Sequence, residues 1–366
     1  MNLTTTNPTI THVYSASAAF TIFPDRMLTI HLWADAFVFS LSLLANGALV
    51  VLTLRETNSA IRAYTNVLII NCVFDTVSTV AAYVTGMQME FGDGYIVMIV
   101  GNQVLNRLPI FWHYVLVHIY IFFTACAIHV IAVSFYFRFM LVCKNQIINT
   151  RELLKMLVIP VAYGFLESIA LALSFYEISN IPERGATCQL ILDHPIWRDP
   201  ITGQPPERCI LSRIENPWLV TFIAAAVVIH SIVYAVMAKC GFDILQTLQK
   251  NSNSYSKKTK QMHRQMNFMQ FTQMLAPFFT AFTPVAMFLV FPVFRLSFPG
   301  IGLLVCLLFA CIPLANPIIA IGFVASFRRT LIGAICPCYG AKSDISANGD
   351  NTTIKDVTAI RSSMIL

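Results

Sequence analysis

LPIFWHYVLVHIYIFFTACAIHVIAVSFYF, residues 108–137, runs without an aspartate, glutamate, lysine or arginine until Arg138 closes it. About 20 apolar residues are enough to cross ~30 Å of hydrocarbon, whereas a helix buried in a soluble core needs only 10 to 14. The stretch is therefore written for lipid. Working outward, similar runs lie at about 30–54, 66–86, 156–176, 217–238, 266–291 and 300–324, which makes seven spans. They are too long for barrel strands, and a segment in hydrocarbon must satisfy its own backbone hydrogen bonds, so each is expected to be an α-helix.

Composition agrees, with 57% hydrophobic and 11% charged residues in a chain of 366, where a soluble domain carries roughly 25% charge. The expected fold class is all-α, a single seven-transmembrane helix bundle over 30–324 with tails at 1–29 and 325–366. The first residues are rich in Thr, Ser and Asn and lack the basic and short apolar regions of a cleaved signal peptide. The first span then serves as its own signal-anchor. Neither an internal repeat nor paired short Gly-interrupted spans, the mark of inverted-repeat transporters, is visible.

Loop charge sets the expected orientation. Of the 24 basic residues, 17 fall in one alternating set of loops and in the C-terminal tail, against 7 in the other set. By the positive-inside rule the larger set is cytoplasmic, which puts the N-terminus outside. Two motifs fit this orientation: the sequon Asn2-Leu3-Thr4, a glycosylation acceptor, and Cys336-Pro337-Cys338, where a cytoplasmic thioester lipid would pin the tail. Of the ten cysteines only Cys188 and Cys209 lie outside, both between spans four and five. A disulfide there closes a loop of about 20 residues, worth ~3 kcal/mol by loop entropy; two free thiols are the alternative.

Ionisable groups within spans are costly and point to function or to a polar interior face. Asp75 and Glu167 are the clear cases. Asp75, with Asn71 a turn earlier and Asn46 and Asn316 at comparable depth, is expected to form a polar cluster, while Glu167 has no partner legible in the sequence. Four span histidines, His113, His118, His129 and His230, make no i, i+4 pair and belong to no HExxH or Cys/His cluster, so no metal site is expected. The absence of a GxSxG elbow argues against an intramembrane enzyme. With no lysine in spans six and seven, a retinal Schiff base is excluded. No cofactor and no nucleic-acid partner are expected, and the solvent partner is the lipid bilayer. A transporter or channel is the main rival to a receptor, resting on Asp75, Glu167 and the histidines.

The order of motifs along the spans resembles a rhodopsin-like receptor in its nematode serpentine chemoreceptor form, such as the Str and Srd groups. Asn46-Gly47-Ala48-Leu49-Val50 and the stretch Asn66 to Asp75 are similar to that family's first two helices. Phe137-Arg138-Phe139-Met140-Leu141-Val142-Cys143 resembles its Asp-Arg-Tyr motif continued by Leu-Ala-Ile-Cys. Span six carries Gln273, Pro277 and Pro284, and span seven carries Asn316-Pro317-Ile318-Ile319-Ala320, then Phe323 and Phe327-Arg328. The resemblance implies a plasma-membrane receptor, in sensory neurons and their cilia, that couples a small-molecule ligand to a heterotrimeric G protein through Arg138.

The departures from the pattern are Phe137 in the acidic position, Ala320 in the tyrosine position, His113 near the upper helix-three cysteine, and a span five without its proline. Arg138 is thus expected to be an unpaired cation, with a headgroup anchor as its alternative reading. Pro277, Pro284 and Pro317 are expected to kink their helices and provide the switch. Counting turns outward from Arg138 gives Thr124 and Tyr120 as the ligand-facing stripe, opposite Phe278 and Phe282 of span six and Cys306 of span seven. That pocket would suit a small, weakly polar molecule. Bundle packing or lipid contact is the bland alternative for each aromatic.

Overall fold

The computed structural model describes residues 26–56, 62, 64–92, 94–146, 148–176, 188, 194–200, 203–251, 257–296 and 298–335. Asn2, Cys336 and Cys338, with the glycan and lipid expected on them, lie outside the described residues. The membrane helices are α1 (Met27–Arg55), α2 (Thr65–Thr85), α3 (Ile110–Cys143), α4 (Thr150–Tyr176), α5 (Pro217–Lys250) and α6 (Lys260–Val293). A seventh span, α7, is a bent pair, Ile301–Ala310 and Ile312–Phe323, with 42° between its halves. The last described helix is α8 (Ala325–Ile335). Apolar side chains face outward along the bundle: Ile159 is 76% exposed and Trp33 75%. Lipid is the solvent that makes such exposure favourable.

Several helices overrun the apolar runs read from the sequence. α3 continues past Arg138 to Cys143, and α5 continues to Lys250 through Lys239, Asp243 and several polar residues. Their charged ends protrude from the apolar band, which hydropathy alone delimits.

The bundle also holds a three-stranded antiparallel sheet that an all-α expectation did not include. Strands β1 (Met87–Gly92) and β2 (Tyr95–Val100) form a hairpin, and β3 (Ile210–Arg213) pairs with β2 from the loop ahead of α5. The hairpin register pairs Gly92 with Tyr95 across a two-residue turn, in which Gly94 takes φ 83°. That backbone conformation suits the Asp-Gly dipeptide found there. Strand alternation then divides the side chains between two faces. Met89, Phe91, Ile96 and Met98 press into the bundle against Val117 and Tyr120 of α3, Phe175 of α4 and Val305 and Cys306 of α7. Val97, Ile99 and Leu211 pack on the other side against Leu28, Ile196 and Trp197. Both faces are covered, which explains why β2 reads as an unbroken apolar run rather than an alternating one.

Cys188 and Cys209 form a disulfide beside the start of β3, with Cα atoms 6.0 Å apart. At the sheet edge Asn106, 5% exposed, donates to the carbonyls of Val100 and Arg208, and its Oδ1 accepts from the backbone N–H of Glu207. The sheet thus closes one end of the bundle as a packed plug. At the opposite end a separate core gathers Leu52, Val67, Phe137, Leu153, Met266 and Phe327 around Arg138.

Candidate functional site

Three features occupy the interior between the sheet and the Arg138 end: a polar chain, a hinge and a cavity.

The polar chain crosses four helices. Ser42 of α1 meets Thr79 of α2 at 2.9 Å, and Asn316 of α7 donates to both carboxylate oxygens of Asp75 at 3.2 and 3.1 Å. Asn46, expected in the same cluster, instead donates to the Pro313 carbonyl at 3.2 Å. The reason is local, since Pro317 has no N–H and cannot satisfy the carbonyl four residues before it. Asn71 turns toward α3 and pairs with Ser134 at 2.9 Å.

Arg138 is not the unpaired cation that the sequence suggested. It is fully buried, its Nη1 donates to Gln270 Oε1 at 2.7 Å and its Nη2 to the His263 carbonyl at 3.1 Å, both on α6. Gln270 in turn donates to the Ser134 carbonyl at 3.3 Å, and Gln273 donates to that of Asn316 at 3.3 Å. With Phe137 in place of an acidic neighbour, the guanidinium takes neutral acceptors from α6. It ties α3 to α6 directly.

The hinge lies one turn further along α6. Pro277 ends the helix Lys257–Pro277, and the following five residues, Phe278–Phe282, form a π turn before the α-helix resumes with Pro284 in its first turn. Two prolines seven residues apart each deny a carbonyl its N–H partner, and the backbone between them relaxes into the wider turn. In α7 the bend falls at Cys311, not at Pro317 as expected. Pro313 accounts for it, because in a straight helix its ring would clash with the carbonyl of Phe309 four residues back. Pro317 itself lies inside the continuous helix Ile312–Phe323.

The cavity, about 200 Å³, lies among α3, α4, α5 and α6, with Phe309 of α7 also in its wall. Thr124, Ile128, Leu171, Ile223, Phe278 and Phe282 contribute to its wall, which is apolar except for Thr124, Glu167, His230, Ser231 and Tyr234. Phe278 and Phe282 stack at 5.2 Å with planes 3° apart, and Tyr234 meets Phe278 edge-on at 5.9 Å. Phe278 and Phe282 are 41% and 47% exposed.

Of the five residues expected to face a ligand, Thr124, Phe278 and Phe282 line this cavity, whereas Tyr120 and Cys306 do not. Those two are buried against β1 and β2, where the plug fills the space that a sheetless bundle would have left open. His113, on the same stripe, contacts the Asn106 carbonyl through Nε2 at 3.1 Å.

Glu167, which had no visible partner in the sequence, meets His129 of α3 and His230 of α5; one ligating atom from each lies within 4.8 Å of the others. Scanning single helices for i, i+4 pairs cannot find a group drawn from three helices. The legible signal was their comparable depth in neighbouring spans.

A seven-helix membrane bundle with one end closed by a sheet, an internal apolar cavity and an arginine held between helices three and six is the architecture of a heptahelical receptor. The model of the family described as serpentine type 7TM GPCR chemoreceptor Srd matches residues 32–333, and the chain belongs to that family. It is accordingly a multi-pass plasma-membrane protein and a chemoreceptor. Among curated proteins none matches the chain.

Proposed function

We propose that this chemoreceptor binds a small, mostly apolar molecule in the cavity between α3, α4, α5 and α6, and that binding releases Arg138 to a heterotrimeric G protein. In this reading the N-terminus and the sheet face outward and the Arg138 end is cytoplasmic, as the basic-residue bias requires. One observation carries it: Phe278 and Phe282 are at once the wall of the cavity and the two ends of the π turn in α6. A molecule touching those rings contacts the hinge itself. It shifts the equilibrium only by its differential affinity for the two hinge geometries.

The sheet plug blocks a direct route from the outer face, and the partly exposed phenylalanines offer one from the side, through lipid. That route selects apolar ligands. At the other end a larger space of about 710 Å³ lies between α5 and α6, beside Gln270 and His263. Moving α6 there would widen it and uncover Arg138 for a partner helix.

The test begins with a ligand screen in cells carrying a G-protein reporter. At matched surface expression, Phe278→Ala and Phe282→Ala are expected to right-shift the agonist response by more than ~10-fold, the equivalent of ~1.4 kcal/mol of lost contact. Unchanged potency in both would move the ligand elsewhere.

A further inference from the structure

We propose that His129, Glu167 and His230 form a binding site for a divalent transition-metal ion, best matched by Zn²⁺, in the wall of the cavity. The three come from α3, α4 and α5, and their ligating atoms lie within 4.8 Å of one another. In a tetrahedral zinc site, with bonds of about 2.0–2.1 Å, neighbouring ligand atoms stand roughly 3.3 Å apart. Small rotamer adjustments of the three side chains close that gap.

The protonation pattern is already fixed by the backbone. His129 Nδ1 lies 2.6 Å from the Ala125 carbonyl, and His230 Nδ1 lies 2.7 Å from the Ala226 carbonyl. A carbonyl oxygen can only accept, so each neutral ring carries its proton on Nδ1. Each Nε2 is left with a lone pair. This outer-shell bond to a backbone carbonyl is the one that metal-binding histidines use to set tautomer and ring orientation.

Two of the three ligand atoms lack partners. His129 is 4% exposed, and its Nε2, like Glu167 Oε2, is buried without a hydrogen-bond partner. Burying such groups unsatisfied is costly, and one cation satisfies both together with His230. Two imidazoles and a carboxylate match Zn²⁺ or Cu²⁺, whereas Mg²⁺ and Ca²⁺ require oxygen ligands. Three protein ligands leave a fourth position. Because Glu167 and His230 also line the cavity, that position opens onto it. The bound ion would brace α5 against α3 and α4 beside the α6 hinge.

The full-length receptor, purified in detergent and stripped with a chelator, is titrated with ZnCl₂ while bound metal and the thermal unfolding midpoint are measured. We expect a zinc-dependent rise of several degrees that Mg²⁺ does not reproduce. Glu167→Gln should weaken it at least tenfold in zinc concentration, His230→Ala should abolish it, and His230→Cys, which restores a ligand, should recover it. A wild-type midpoint indifferent to zinc overturns the proposal, as does an identical shift in His230→Ala and Glu167→Gln. Neither readout needs an agonist, so the site stands or falls apart from the ligand assignment above.

Discussion

At the scale of single residues, the Arg138 contacts predict how signalling is held off. Hydrogen bonds to a charged group contribute about 1.5–3 kcal/mol each, and Gln270 supplies the shorter one. Gln270→Ala should therefore raise agonist-free signalling by about tenfold or more, measured with a G-protein reporter at equal surface expression. Arg138→Ala should abolish signalling; the guanidinium is too buried to reach headgroups, so full activity in that variant would mean that its α6 contacts serve packing alone. Glu90 makes a different prediction. It is 1% exposed on β1, with Oε2 accepting from the Gly300 N–H at 2.8 Å and Oε1 from the Phe91 N–H at 3.1 Å. Burial, opposed by those two hydrogen bonds, pushes its carboxyl up to about 8. A raised folded-state pKa means that stability is fullest below about 4.5 and is lost as pH rises toward and through about 8. The unfolding midpoint should fall between pH 6 and pH 9, most of it below pH 8, by an amount corresponding to at most roughly 3 kcal/mol, and Glu90→Gln should flatten that slope.

At the scale of elements, the sheet and α7 are fitted backbone to backbone. A Cβ on Gly302 would collide with the carbonyl group of Met89 on β1, whereas a Cβ on Gly47 or Gly322 would meet nothing within 4 Å. Gly302→Ala should thus cut surface expression severely, and Gly47→Ala should leave it unchanged; equal expression of the two would contradict the plug. The helices were legible because lipid imposes a run of apolar residues that no loop needs, and Arg138 was legible through the motif around it. The plug was not. MQMEF and YIVMIV flank an Asp-Gly turn, a strong hairpin signal, but their apolar character in a membrane protein reads as loop or interface. Tyr120 and Cys306 read as ligand-facing from helix periodicity alone, because periodicity does not reveal the strands that pack on them. Two prolines four residues apart, Pro313 and Pro317, offer the sequence no sign of which one bends α7, and the bend falls beside Pro313. Glu167 and its histidines needed three helices in register, which spacing along one helix does not reveal.

At the scale of the whole molecule, the features line up along one axis: sheet plug, cavity, π turn, polar chain and the Arg138 contacts. The α6 helix is the element they share. Its Phe278 and Phe282 wall the cavity, its Gln273 reaches Asn316, and its Gln270 and His263 hold Arg138. A ligand that favours another geometry of the π turn need only swing the far end of α6 to release the arginine. The most direct measurement is the distance between spin labels, introduced as non-natural amino acids at Lys144 beyond α3 and Arg264 on α6, in receptor with and without a saturating agonist. The account predicts that the distance distribution shifts outward by several ångströms, and that Gln270→Ala shows part of this shift without agonist. An unchanged distribution at full occupancy, with signalling intact, would contradict it.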